Sequence, residues 1–435
     1  MYCLIAVTVT LVLLGLHAGV ASAGSAESPA GFVREIWVLG GSNNFRVNSP
    51  DAKEGPFKDR WEAKQDGVLT VEVDQDLSEV ASAELYLELW GGHPGVANKR
   101  FTLNGKTEYK LPEVGAAKGN CTYSYPSAAL KVSELRAGKN TFAFTCDKAE
   151  TFWGHFLIRT ACLRLRLMPE CKTLEDAKLV GNVLRVSATA VDGKPDLVAL
   201  NVDGPDEVTS RIAEVEYWGH YDGYDENGDG NGGDWHGFTK DGRTVGHIGT
   251  RTAGKGLKQA WSLAMVPRRK PVSARARVRF RGVKDIIYET AAIQVAEAQK
   301  PSPVRVFGAA ELPTPFWSRA GHATGCTIPL DVDPATIEKA ELHVTIWDGG
   351  AGKTKEPFTL NGTPLAIAGK GQHDLLYRVV KIDPKILRKG DNVVRVLSDT
   401  DHHGIEVLLP GPALVVRMRE DHSPQRTPVT EESSR

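Results

Sequence analysis

Two stretches of the chain decide its architecture: Ser82–Lys106, SAELYLELWGGHPGVANKRFTLNGK, and Lys339–Thr363, KAELHVTIWDGGAGKTKEPFTLNGT. They align without a gap, and eleven of the 25 positions are identical, including Trp90/Trp347, Gly92/Gly349 and the block FTLNG. Upstream, Thr70–Val80 (TVEVDQDLSEV) matches Thr327–Ile337 (TIPLDVDPATI). Downstream, Leu135–Asn140 (LRAGKN) matches Leu387–Asn392 (LRKGDN) after a five-residue change of register. Agreement of this length reads as a duplicated domain.

Each copy is written in alternating strands. In AELYLELW, Leu85, Leu87 and Leu89 fall on one face and Glu84, Tyr86 and Glu88 on the other. NTFAFTC and CLRLRLM alternate in the same way, and Asn104-Gly105 and Asn361-Gly362 are hairpin signals. No amphipathic helix of useful length is evident, and Ser127–Leu135 and Asp383–Leu387 have room for a turn or two each. Between the copies, VLRVSATAVDG, AEVEYWGHYDG and ARARVRFRGV read as strands of an immunoglobulin-like sandwich. The expected fold is all-β: two homologous jelly-roll-like β-sandwich domains, 32–168 and 304–418, flanking an immunoglobulin-like β-sandwich, 179–297. The segment 419–435 lacks apolar residues and reads as a disordered tail.

The totals narrow the function classes. With 435 residues, 41% hydrophobic and 25% charged, the chain has an ordinary globular composition. Its net charge of −1 and pI near 6.9 argue against a general nucleic-acid or anionic-membrane binder. Residues 1–23 read as a signal peptide, with an apolar run Leu4–Leu16 and a small-residue cleavage site at Ala21-Ser22-Ala23. That run falls short of the roughly 20 residues that span a bilayer. The mature protein is therefore expected outside the cytoplasm, not membrane-spanning after cleavage. In an oxidising compartment Cys121, Cys146, Cys162 and Cys171 are expected to form two disulfides in any of three pairings, leaving Cys326 over.

One segment escapes the strand pattern. Tyr221–Phe238, YDGYDENGDGNGGDWHGF, holds six Gly and four Asp in eighteen residues, so packing alone cannot order it. DENGDG fits the start of the calcium-loop pattern D-x-[DN]-x-[DN]-G, with Asp225, Asn227 and Asp229 at alternate positions and Gly230 at the turn. Calcium takes six to eight hard oxygens at about 2.3–2.6 Å. The carbonyl of Asn231 and the carboxylate of Asp234 would extend the shell, with Asp222 in reserve. Position twelve is His236 where an EF-hand has Glu, and no helices flank the loop, so this is not an EF-hand. The motif YDGYDENGDG…DWHGF…HIGT, over Ala213–Thr250, resembles the calcium-loop segment of immunoglobulin-like modules in modular secreted bacterial proteins, many of them carbohydrate-associated. The resemblance implies Asp225, Asn227 and Asp229 as ligands and calcium as a structural cofactor.

Other residues invite a ligand. Arg275, Arg277, Arg279 and Arg281 alternate along one strand, forming either a platform for an anionic polymer or a face opposed by carboxylates such as Glu214 and Glu216. Trp90 and Trp347 end equivalent strands; they either stack on sugar rings or pack a position the fold needs twice. Trp153 is a weaker case of the same kind. No H-E-x-x-H, G-x-S-x-G or phosphate-loop motif occurs. The reading is a secreted, non-catalytic binding or scaffold protein for a polysaccharide or cell-surface component. A β-sandwich polysaccharide lyase or hydrolase and an adhesive surface protein are the alternatives.

Overall fold

The structure, a computed structural model, describes residues 29–39, 45–48, 67–92, 96–111, 121–147, 155–299 and 302–419. The signal segment, Trp153 and the tail beyond residue 419 lie outside the described residues. Strands account for 53% of the described residues and helices for 7%, so the fold is all-β, built from antiparallel sheets.

The first copy is a sandwich. One sheet runs Gly31–Leu39, His155–Leu167, Val80–Trp90, with Tyr123–Ser124 and Ser127–Leu130 at its edge. The facing sheet runs Val68–Val73, Gly138–Thr145, Arg100–Leu103, Thr107–Lys110. The second copy repeats this order. Val304–Gly308, Ala413–Met418, Ile337–Asp348 and Asp374–Ile382 face Ala323–Leu330, Gly390–Leu397, Phe358–Leu360 and Thr363–Pro364. Leu85, Leu87 and Leu89 point into the first core with Phe101, Phe142 and Phe144; Leu342, Val344 and Ile346 point into the second with Phe358. Each such fully buried side chain contributes about 1.5–3 kcal/mol.

The shared FTLNG block serves one purpose in both copies. Asn104 (φ 52) and Asn361 (φ 51) sit in the left-handed region, each followed by a glycine at positive φ, as the hairpin turn requires. Asn104 Nδ2 donates to the Glu134 carbonyl and to Asn140 Oδ1, at 2.8 and 2.9 Å. Asn361 Nδ2 donates to the Ile386 carbonyl and to Asn392 Oδ1, again at 2.8 and 2.9 Å. Asn140 and Asn392 are fully buried and close the turns Arg136–Gly138 and Arg388–Gly390 with matching bonds. The short helical turns fall at Val132–Glu134 and Pro384–Ile386, within the segments expected to hold them.

The central unit faces Arg185–Val191, Lys194–Asp203 and Gln259–Ser262 against a sheet of Ile212–His220, Val272–Phe280 and Val283–Glu289. Its edge strand Val283–Glu289 pairs with Gly31–Leu39, from Gly31↔Glu289 to Arg34↔Ile286. First and central units therefore share one 12-stranded sheet and one continuous apolar core. The pairing also gives two edge strands backbone partners that they would otherwise lack.

The cysteines depart from expectation. Cys121, Cys162, Cys171 and Cys326 are free, buried thiols, and Cys146 is buried in the first core. They belong to different places: the junction between units, the large sheet, the start of the Lys172–Asp176 helix and the second core. Two disulfides among the first four are not formed.

Candidate functional site

The acidic loop leaves the end of the Ile212–His220 strand and returns as Trp235–His236, which pairs with Gly219 and His220. Between them it crosses the place where all three units meet. Tyr224 donates from its hydroxyl to the Gly411 carbonyl (2.9 Å) and accepts from the Thr345 amide (3.2 Å), both in the second copy. Tyr125 of the first copy donates to the Gly237 carbonyl at 3.0 Å. Gly228 (φ 62) passes so close that a Cβ would lie 2.9 Å from the Leu409 oxygen and 3.2 Å from the Tyr123 oxygen. The hairpin that follows is tied to the first copy by Glu88, fully buried, which accepts from the Asp241 and Gly242 amides and from the hydroxyls of Tyr86 and Tyr123. Lys240 pairs with Asp374 of the second copy.

Within the loop, side chains of the calcium pattern turn inward. Asp225 accepts from the Asp229 amide (3.2 Å) and the Gly230 amide (2.8 Å). Asn227 Oδ1 accepts from the Asp229 amide at 2.9 Å, while its Nδ2 reaches Asp229 Oδ2 (3.1 Å) and Asp234 Oδ2 (3.5 Å). Asp229 accepts from the Asn231 amide, Asn231 from the Gly233 amide, and Asp234 from the Trp235 amide. Burial, then the neighbouring Asp229, pushes the Asp225 carboxyl up to about 7. Burial also raises Asp229, with Asp234 adding to the crowding. The donors are hard oxygens short of positive charge, which suits calcium in kind. Among the described residues no three His, Cys, Asp or Glu side chains meet at metal-ligand spacing, so any shell has to draw on Asn227, Asn231 or the backbone.

His236, the misfit at position twelve, has a different task. Its ring stacks on Tyr221 at 3.7 Å, with Nδ1 3.0 Å from Glu226 and Nε2 2.7 Å from the Tyr221 carbonyl. Burial alone would raise the Glu226 carboxyl, but His236 and the Gly237 amide hold it below its ordinary value. The pair fixes the loop's return strand from beneath.

The arginine strand is mostly committed. On the side of the large sheet away from the apolar core, Glu84, Arg164, Glu35, Glu289, Arg277 and Glu216 form a ladder across strands of both units, in which each arginine stands between carboxylates and Glu35 and Glu289 share its middle. Arg164 meets Glu84, Glu289 and Glu35. Arg277 meets Glu35, Glu216 (3.4 Å) and Glu289 (3.6 Å), and Arg279 meets Glu35 and Glu214, both at 3.5 Å. Arg281 donates to the Ser210 carbonyl. Arg277 and Arg279 are thus opposed by Glu216 and Glu214, the second of the two arrangements open from sequence. Arg275 stands apart, its guanidinium 4.1 Å over the Trp235 ring.

Trp90 and Trp347 both lie against the junction cluster of Cys121, Tyr123, Phe238, Leu375 and Leu408, together with Tyr125 and Tyr377. Trp90 neighbours His155 at 5.6 Å, and Trp347 lies 5.7 Å from His373 and 5.5 Å from His403. Sequence reasoning passed over Trp37, which shares its strand face with Glu35 and stands edge-on to Tyr86 at 6.2 Å. At 42% exposure it is the one aromatic among the exposed large hydrophobic side chains of the described residues. Its signal was the alternation of REIWV, with Glu35 and Trp37 on one side. It also passed over Glu88, whose only mark was a carboxylate on the outer face of a strand.

No family model and no curated protein matches the chain. Among solved structures it is similar to a β-porphyranase of glycoside hydrolase family 86 from the human gut bacterium Bacteroides plebeius, with 13% identity and a TM-score of 0.23. That match covers 54% of this chain and 36% of the other. It is also similar to BuGH86wt in complex with neoagarooctaose, with 14% identity, a TM-score of 0.22, and coverage of 54% and 34%. The chain thus spans about a third of the length of these structures, and a likeness at this level carries nothing about function.

Proposed function

We propose that the protein is a secreted, non-catalytic binding scaffold for carbohydrate, with calcium as a structural ion in its acidic loop. The observation that carries the reading is the exposed indole of Trp37, set beside the ladder on a sheet face that runs across two units. An indole presents an apolar face on which a sugar ring stacks, and the more exposed end of the ladder, Arg279 and Glu214, offers hydrogen bonds to hydroxyls. A surface of that length suits a polymer. Export is supported by the apolar run Leu4–Leu16 and the Ala21-Ser22-Ala23 site.

Asp225, Asn227 and Asp229, with the Asn231 carbonyl and Asp234, would have to close on the ion together, because the carboxylates alone do not stand at metal-ligand spacing. Its charge would relieve the crowding of these carboxylates, at the point where the loop is anchored to both copies. The role is structural, because extracellular modules bind calcium at about 10⁻⁴–10⁻³ M and stay loaded outside a cell.

The test is co-sedimentation with a panel of insoluble polysaccharides, in calcium or in chelator, assaying the supernatant for protein and for released sugar. Depletion of protein that Trp37→Ala abolishes is the expected result. Release of sugar would establish the lyase or hydrolase alternative, and no depletion on any polymer would overturn the carbohydrate reading.

A further inference from the structure

The four arginines of the Val272–Phe280 strand and its turn are not equivalent. Three have an acceptor, but among the described residues no carboxylate or carbonyl answers Arg275, and its Nε is buried without a hydrogen-bond partner. The acidic groups that act on it are Glu289 and Asp234. Glu289 is already shared by Arg164, Arg166 and Arg277. Asp234 already accepts from the Trp235 amide. Burial, then repulsion from Arg277 and Arg164, outweighs their pull and pushes the Arg275 guanidinium down to about 10.

A second, independent observation sits across the strand. The cross-strand partner of Arg275 is Trp218, a residue 8% exposed whose indole N–H is buried without an acceptor. Directly opposed residues hold their Cβ atoms about 4.5–5.5 Å apart, so the two side chains that carry these donors leave the sheet side by side on one face. The ring of His247 lies 6.3 Å from that of Trp218, and its Nδ1 is also buried without a partner. Buried donors without acceptors are costly in a folded chain. Here two certain donors, and a third ring nitrogen able to become one, stand on neighbouring side chains, while Arg275 as a residue is only half-buried. The Arg275 guanidinium carbon lies 4.1 Å from the centre of the Trp235 ring, and a guanidinium fork takes a planar anion in bidentate fashion.

We infer that Arg275, with Trp218 and His247, forms a subsite for an anionic substituent on a sugar, either a uronate carboxylate or a sulfate ester. The inference rests on the carbohydrate reading and sharpens it to acidic glycans. The neutral net charge of the chain does not oppose it, because the site works through one uncommitted cation and not through a broad positive field.

The experiment follows the indole N–H resonances of protein labelled with ¹⁵N at tryptophan, assigning Trp218 and Trp235 from Phe substitutions. The titrants are glucose, glucuronate, glucose 6-sulfate and inorganic sulfate. The expected result is a shift at Trp218 and Trp235 with glucuronate, with glucose 6-sulfate or with both, at least about tenfold tighter than with glucose. One charge-assisted hydrogen bond is enough for such a ratio. The two charged sugars tell carboxylate from sulfate. Arg275→Gln is expected to abolish the preference and Arg275→Lys to keep part of it, with circular dichroism showing that both variants fold. Equal affinity for glucose and the charged sugars would overturn the inference and leave the carbohydrate reading standing. Inorganic sulfate binding as tightly as either charged sugar would mark an adventitious ion only and overturn it too. Polysaccharide sedimentation without any shift at Trp218 would place recognition elsewhere, and failure of sedimentation as well would remove the carbohydrate reading itself.

Discussion

Replacing Glu289 by Gln tests whether the charge ladder is what joins the first and central units. Glu289 is 4% exposed and serves Arg164, Arg166 at 2.9 Å and Arg277 at 3.6 Å. The amide keeps the size of the side chain but leaves those guanidinium groups with only Glu84, Glu35 and Glu216. Removing one member of a buried ion pair costs about 3–5 kcal/mol, because the remaining charge is stranded. A loss of about 3 kcal/mol is therefore expected in the first urea transition followed by tryptophan fluorescence. The double variant Glu289→Gln/Arg277→Gln should lose less than the sum of the two single variants, by about 1–3 kcal/mol. Acid supplies the sign. Burial raises the Glu35 and Glu289 carboxyls, but the arginines win and hold both below their ordinary 4.5. Their contribution is then present above about pH 4.5 and lost as the pH falls through their folded-state values. Wild type should lose more stability on acidification below pH 4.5 than Glu289→Gln does. A loss under 1 kcal/mol for the single variant, or strict additivity in the double, would refute the ladder as a joint.

Three further outcomes are expected. In chelated protein, 10 mM calcium should stabilise wild type by about 1.4–2.7 kcal/mol if the dissociation constant is the usual 10⁻³–10⁻⁴ M; an equal response from Asp225→Asn would rule out Asp225 as a ligand. Asn392→Ala removes bonds to Arg388, Gly390 and Asn361, and should cost about 2–4 kcal/mol in the thermal transition of the second copy; a loss below 1 kcal/mol would contradict the role given to the shared FTLNG turn. Tyr224→Phe deletes the contacts to Gly411 and Thr345 and should speed limited proteolysis of the acidic loop several-fold, whereas unchanged cleavage would mean that the loop is anchored by its other contacts.

The fold was legible where the chain states the same local solution twice. Asn104-Gly105 and Asn361-Gly362 announce a turn that only positive φ can make, and the apolar alternation around them fixes which face is inside. Pairings distant in sequence left no such mark. Nothing local in Gly31–Leu39 or Val283–Glu289 says that the two strands join, because a strand edge offers the same backbone groups to any partner. The ladder was half visible for the same reason. Glu214 and Glu216 lie on a neighbouring strand of the same unit and were foreseeable partners for Arg279 and Arg277, whereas Glu35 comes from more than 200 residues away in the other unit. The uncommitted state of Arg275 emerges only when each of its neighbours has been assigned a partner.

The tryptophans show why duplication by itself could not locate a ligand. A residue kept at equivalent positions of both copies is expected whether it stacks on sugar or packs the fold, so Trp90 and Trp347 fitted either role. The geometry separates these cases through a third body. Both tryptophans end strands at the same end of their sandwiches, and both ends meet around Phe238 of the central hairpin. Tyr125 and Tyr377, a second equivalent pair, arrive at the same point, 6.5 and 6.0 Å from the Phe238 ring. Two sandwiches of one topology that meet a central element through the same end bring residues at matching positions to it, so these aromatics serve the joint. A ligand surface on this protein is then to be sought where the copies differ. Trp37 and the Arg275 patch are such places, since both lie on the large sheet that only the first copy shares with the central unit.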